Sequence, residues 1–270
     1  MTKRDTYVQT LASLSNWDAY LLKESGLPGP RANLELVQAA ADQGTAEQFH
    51  RWLALGPADT PPKTALEFLP VCGAVGLGRL LAEGQPDVLT ELRKHASDPR
   101  WRVREGVAMA LQRWGDADMG ALLKAMPEWA GGAWLEQRAV AAGLCEPRLL
   151  HASQHAKAVL KLLDKITHAV AKASPAARTG GDFKALRQAL AYCWSVAVAA
   201  APEAGQPAIE HWLASPDPDV AWLMRENLKK NRLTRMDAAW VKRWQAKGKE
   251  KEKERERERG RGRGREKEKP

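Results

Sequence analysis

Five basic positions define the first candidate surface. Lys157, Lys161, Lys165, His168 and Lys172 are spaced four, four, three and four residues apart, which lines them along one face of a helix, while Val159, Leu160, Leu163, Ile166 and Val170 fall on the other. Such a ridge suits a phosphate track, and an ordinary solvated helix face has the same pattern. A second group, Arg225, Lys229, Lys230, Arg232 and Arg235, runs toward Trp240, Lys242, Arg243 and Trp244. Basic residues interleaved with tryptophan grip a backbone and stack bases, and the same tryptophans would equally pack the end of a helical fold. From these two groups the candidate anion or nucleic-acid contacts are Lys157, Lys161, Lys165, Arg225, Lys229 and Lys230.

Other spacings carry less chemistry. His151 and His155 stand at i,i+4, the interval of two metal-ligating imidazoles, yet no Cys or carboxylate lies beside them at ligand spacing. Asp217 and Asp219 form a DxD of the kind that holds a divalent ion, but carboxylates next to Pro216 and Pro218 are accounted for by a helix start. Gly73, Gly76 and Gly78 lack the preceding strand of a phosphate loop; with helix on both sides they are expected to let two helices approach closely. The chain contains no GxxxxGK[ST], HExxH, GxSxG or CxxC. No catalytic residue, cofactor or metal is expected, and Cys72, Cys145 and Cys193 read as small core residues of apolar helices.

Charge sharpens the reading. Of the formal net charge of +9, the stretch from Lys247 onward holds +5, with twelve Lys or Arg against seven Glu, which leaves +4 for Met1 to Ala246. That tail, KGKEKEKERERERGRGRGREKEKP, has no apolar residue to bury and is expected to be disordered, with an Arg-Gly segment at Arg259 to Arg265. The N-terminus lacks the apolar run of a signal peptide, and Leu190 to Ala201, the longest apolar run, is too short for a bilayer. A cytoplasmic protein with no membrane partner is expected.

The elements that position these residues read as helices throughout. Helical periodicity recurs between closely spaced breakers: a pair within residues 4 to 25, then 33 to 42, 45 to 55, a buried helix after Thr64, 87 to 95, 117 to 126, 134 to 144, 148 to 173, 182 to 201, 208 to 214, 218 to 230 and a capping helix over 234 to 246. Thr45 with Gln48, and Thr64 with Glu67, have capping-box spacing. Ser174 to Gly181 reads as a loop. Eleven tryptophans against three Phe and three Tyr are expected to wedge between helical layers, Trp101, Trp114, Trp129 and Trp134 at one boundary and Trp194, Trp212 and Trp222 at another.

One stretch organises the rest. In SDPRWRVREGVAMALQRWGD, Ser97 to Asp116, the pair Asp98-Pro99 reads as a cap and a first-turn proline; Val103, Val107, Ala110 and Leu111 form the buried stripe, and Arg102, Arg104, Glu105, Gln112 and Arg113 lie mostly off it. A related pattern, SPDPDVAWLMRENLKK, places Val220, Met224, Asn227 and Leu228 117 residues later, three periods of about 39. This resembles the second helix of a HEAT repeat. The resemblance implies an all-α, α-α superhelix over residues 1–246, an armadillo-type solenoid, followed by the charged tail over 247–270. It does not reveal the array's target; with no enzyme motif in the chain, the expected function is a non-enzymatic scaffold that binds a protein partner on its concave surface. HWLASPDPDVAWLMRENL also resembles the repeats of the DNA alkylation repair glycosylases, which curve HEAT-like helices around DNA; this gives the alternative, a nucleic-acid-binding HEAT-like protein. The Trp-Trp-Asp signature of that family has no counterpart here, so no catalytic residue carries over. A lyase-type HEAT protein that attaches a chromophore to a partner shares the fold alone.

Overall fold

A computed structural model of the chain describes residues 2–248 and 250, which form helices joined by short turns, with no strand among them. They divide into two compact units, one ending at His155 and the other beginning at Ala156.

The first unit contains α1 (Lys3–Ser13), α2 (Asp18–Glu24), α3 (Leu34–Gln43), α4 (Ala46–Leu53), α5 (Phe68–Ala82), α6 (Val88–His95), α7 (Trp101–Ala117), α8 (Met119–Trp129) and α9 (Trp134–Leu144). Helix α1 packs on α3, α3 on α5, α5 on α7 and α7 on α9, while α4, α6 and α8 pack against their sequence neighbours. Its centre is α5. With the turn before it, Ala65–Ala82 is long and apolar enough to cross a membrane, at a mean hydropathy of 1.5, and 78% of it is buried inside the protein. Its glycines explain how: a Cβ on Gly76 would lie 2.3 Å from the Phe49 ring of α4, and one on Gly78 only 2.4 Å from the Ala110 backbone of α7. The close approach expected of these glycines is present.

Polar ties join helices that are distant in sequence. The Arg51 guanidinium donates to both oxygens of Asp18 at 2.7 and 2.9 Å, 33 residues away. Arg79 donates to the Gly44 carbonyl 35 residues back, Arg102 to Glu67 across 35, Arg138 to Glu105 across 33, and Arg148 to Asp116 across 32. In this unit most such arginines are consumed in holding helices together.

The second unit holds α10 (Ser153–Ala171) from Ala156 onward, α11 (Pro175–Thr179), α12 (Gly181–Ala200), α13 (Pro202–Leu213), α14 (Pro218–Leu228), α15 (Asn231–Met236) and a last helical segment over residues 238–248. Helix α12 packs on α13, α14 and α15. The buried Asn227 side chain accepts from the Ser195 N–H at 2.8 Å and donates to the Leu190 and Leu223 carbonyls, also at 2.8 Å, so an amide clamps α14 to α12. Trp194 Nε1 donates to Thr167 Oγ1 at 3.0 Å and Trp212 Nε1 to Asp164 at 2.9 Å, which fastens α12 and α13 to α10.

Several local expectations need correcting. Helix α7 begins at Trp101, beyond Pro99, and Asp98 does not cap it; the Asp98 carboxylate accepts from the Arg100 N–H at 2.8 Å and from the Arg100 guanidinium at 2.9 and 2.7 Å. Arg102 is buried, not on an open face, because Glu67 takes its charge. Thr64 and Glu67 form no capping box: Thr64 Oγ1 donates to the Pro61 carbonyl, and Glu67 accepts from the Lys63 N–H. The loop at 174 to 181 contains α11, which Ser174 caps, and the expected last helix is broken at Asp237, which caps the segment after it through the Trp240 N–H. Trp101 is 46% exposed instead of wedged, lying against the Arg102 guanidinium. The tail expected to be disordered lies outside the described residues except for Lys247, Gly248 and Glu250.

Candidate functional site

Helix α10 presents the basic ridge as its spacing predicts. Lys157, Lys161, Lys165 and Lys172 are exposed, and Val159, Leu160, Leu163, Ile166 and Val170 are buried on the opposite face. The ridge is not purely cationic. Asp164 stands beside it, 3.6 Å from His168 Nδ1, and His168 meets the Trp212 ring edge-on with centroids 4.6 Å apart. His168 is thereby committed to the α10–α13 contact.

The carboxylates that resembled a metal site belong to a helix opening. Asp217 caps α14 by accepting from the Asp219 and Val220 N–H groups, and Arg178 donates to Asp217 at 3.1 and 2.7 Å and to Asp219 at 2.7 Å. Arg187 closes the group 2.9 Å from Asp219. Burial pushes the Asp217 carboxyl up, but the Arg178 hydrogen bonds, the backbone donors and the Arg178 charge outweigh it and hold the group below the usual carboxylate range. His151 and His155 gain no third ligand: among the described residues, no three His, Cys, Asp or Glu side chains gather where they could hold a metal ion. Cys72, Cys145 and Cys193 are buried and none is in a disulfide, and desolvation raises Cys72 far above its ordinary value, so it offers no thiolate.

The C-terminal basic group separates into two parts. Trp240 is buried, and Trp240 and Trp244 both donate to Glu210 Oε1 of α13, at 2.6 and 3.0 Å, so these tryptophans pack the end of the unit. Lys229 is paired with Glu226 at 2.5 Å, and Arg225 is half-buried. Lys230 and Arg232 converge on a residue the sequence reading passed over, Tyr192 of α12. The Lys230 ammonium lies 5.7 Å and the Arg232 guanidinium 4.6 Å from its ring centroid, and Arg232 also donates to its hydroxyl. Tyr192 nonetheless remains 44% exposed. A signal for it was present: Lys184, Gln188 and Tyr192 recur at i,i+4 and are all exposed, but they sit in a helix whose apolar content draws attention to its buried side.

No family model, curated protein or solved structure matches the chain. The site is therefore read from its own chemistry. Residues 1–155 carry sixteen Lys or Arg and eighteen Asp or Glu, a net −2, whereas residues 156–246 carry fourteen and eight, a net +6. The mild positive charge of the body thus comes from a slightly acidic unit and a strongly basic one. Long-range attraction for polyanions follows the second.

Proposed function

We propose that the chain is a non-enzymatic interaction module of HEAT-like stacked helix pairs that holds a protein partner on its concave face. The observation that carries this reading is the interval of its polar ties: Arg51–Asp18, Arg102–Glu67, Arg148–Asp116 and Arg178–Asp217 join groups 33, 35, 32 and 39 residues apart, close to one helix pair each time. In a repeat array each pair touches its neighbours, so ties recur near the repeat length. The packing of α1, α3, α5, α7 and α9 in succession supports the same arrangement.

A second reading, a HEAT-like nucleic-acid binder with the architecture of the DNA alkylation repair family, is favoured by the charge division of −2 against +6. Affinity purification of the full chain from its native cells, divided into nuclease-treated and untreated halves, tests both. A stoichiometric protein that survives the nuclease supports the scaffold. Material lost to the nuclease supports the second reading, and a chain that emerges alone from both halves overturns the two together.

A further inference from the structure

Four large hydrophobic side chains stand exposed among the described residues: Leu34, Leu66, Trp101 and Tyr192. Of these, Tyr192 has two cations at its ring, Lys230 from the α14–α15 turn and Arg232 from the start of α15, some 40 residues away. An aromatic side chain that keeps 44% of its surface in solvent with cations over its ring is a combination that binds single strands, because every base has a π-face to stack and every nucleotide a phosphate to neutralise. A duplex hides the faces of its bases and offers this ring nothing to stack. Lys184 lies two helical turns back on the same exposed strip, about 12 Å from Tyr192 along the axis, within reach of a strand a few nucleotides long.

We propose that Tyr192, Lys230 and Arg232 form a contact for single-stranded nucleic acid, in which Tyr192 stacks an unpaired base while Lys230 and Arg232 take the flanking phosphates. This rests on the nucleic-acid reading above and assigns it a place and a strand type. The surrounding unit, at +6 between residues 156 and 246, supplies the attraction that brings a polyanion there. Arg232 has a double part: its hydrogen bond to the Tyr192 hydroxyl orients the ring, and the proposed contact gives a phosphate to its other guanidinium donors.

The test uses the full chain with Arg259, Arg261, Arg263 and Arg265 replaced by Gln, so that the Arg-Gly segment does not compete. Fluorescence anisotropy measures binding to a fluorescein-labelled oligothymidylate, with a blunt duplex of equal length and a polyglutamate peptide as comparators. The single strand should bind more tightly than either. Tyr192→Ala should weaken it roughly 5- to 150-fold, the range for one stacked base, while Tyr192→Phe, which keeps the ring, should stay within about threefold of the parent. Lys230→Gln and Arg232→Gln should each flatten the salt dependence by about 0.7 in log–log slope. Circular dichroism confirms that each variant is folded, which the exposure of Tyr192 leads one to expect.

Oligonucleotide binding that is indifferent to Tyr192→Ala overturns the proposed contact and leaves the nucleic-acid reading standing. No oligonucleotide binding at low salt overturns both. Polyglutamate bound as tightly as the single strand reassigns the surface to an acidic protein.

Discussion

The two stretches that match in sequence, Ser97 to Asp116 and Ser215 to Lys230, solve the same packing problem with different chemistry. At the shared register positions Val103, Val107, Ala110 and Leu111 answer to Val220, Met224, Asn227 and Leu228, and all eight are buried. Where Ala110 stands, α7 lies so close to α5 that only a glycine, Gly78, fits opposite. Where Asn227 stands, α14 meets α12 through an amide whose donors and acceptor all find backbone partners. The Asp-Pro openings differ in parallel. Asp98 is buried and binds the buried Arg100, two residues away, whereas Asp217 is partly exposed and binds Arg178 of α11. The first aspartate closes on its own stretch, and the second ties α14 to α11.

The largest effect should come from breaking the buried pair. Arg100 is 1% exposed, and its remaining acceptors, the Leu55 carbonyl and Thr60, carry no charge. Asp98→Ala should therefore cost about 3–5 kcal/mol in denaturant unfolding, the usual consequence of stranding a buried charge. Asp217→Ala, which loses a cap and a partly exposed pair, should cost about 1–2 kcal/mol. Equal costs would show that burial does not separate the two. The pH dependence has a fixed sign. Burial raises the Asp98 carboxyl, but hydrogen bonds from the Arg100 side chain and N–H and the Arg100 charge, with His95 3.6 Å away, outweigh it and hold the group well below 3.8. A depressed carboxyl contributes stability that is fully present above its unfolded value and lost as pH falls through its folded one. The difference between the parent and Asp98→Asn should stay constant from pH 7 to about 4 and shrink below it.

Next in size is Leu111→Ala. Leu111 is fully buried, and the α7–α9 contact is tight enough that a Cβ on Gly143 would sit 2.9 Å from the Leu111 side chain. A loss of about 2–5 kcal/mol is expected, and one below about 0.5 would place the residue outside the α7–α9 contact. Asn227→Ala follows at about 1–3 kcal/mol, since it leaves the Ser195 N–H and the Leu190 carbonyl without their partner in a dry site. If Asn227→Leu proved stabilising, the amide would be a specificity device and not a source of stability.

Both stripes were legible because burial of apolar residues at helical spacing leaves a periodic trace that needs no knowledge of the partner helix. The glycines of α5 were legible for a similar reason: their smallness is a local fact. What escaped the sequence were side chains whose roles depend on a distant partner. Arg100 and Arg102 look like surface residues until Asp98 and Glu67 are placed beside them. Tyr192 shares a polar strip with Lys184 and Gln188 but has no evident role until Lys230 and Arg232 reach it from the start of α15 and the turn before it. The candidate lysines of α10 were placed correctly as exposed, but the carboxylate of Asp164 alongside them is held by Trp212, 48 residues away.

The smallest predicted difference isolates that lesson in two threonines with one signature. Thr45 and Thr64 each precede a Gln or Glu by three residues, and local spacing treats them alike. Thr45 makes both bonds of the box: its hydroxyl accepts from the Gln48 N–H at 3.2 Å, and the Gln48 side chain accepts from the Thr45 N–H at 2.8 Å. The partner expected for Thr64 is unable to respond, because the Glu67 carboxylate is drawn to Arg102 and to the Lys63 N–H, and the Thr64 hydroxyl turns to Pro61. Thr45→Ala should thus cost about 1 kcal/mol of unfolding free energy, and Thr64→Ala no more than about 0.5. Replacing Arg102 by Leu removes the competitor. If competition is what silences the second box, the loss from Thr64→Ala should then rise toward that of Thr45→Ala; a double-mutant cycle with no coupling between positions 64 and 102 would mean that the backbone turn before α5, with Lys63 at φ 66°, forbids the box on its own.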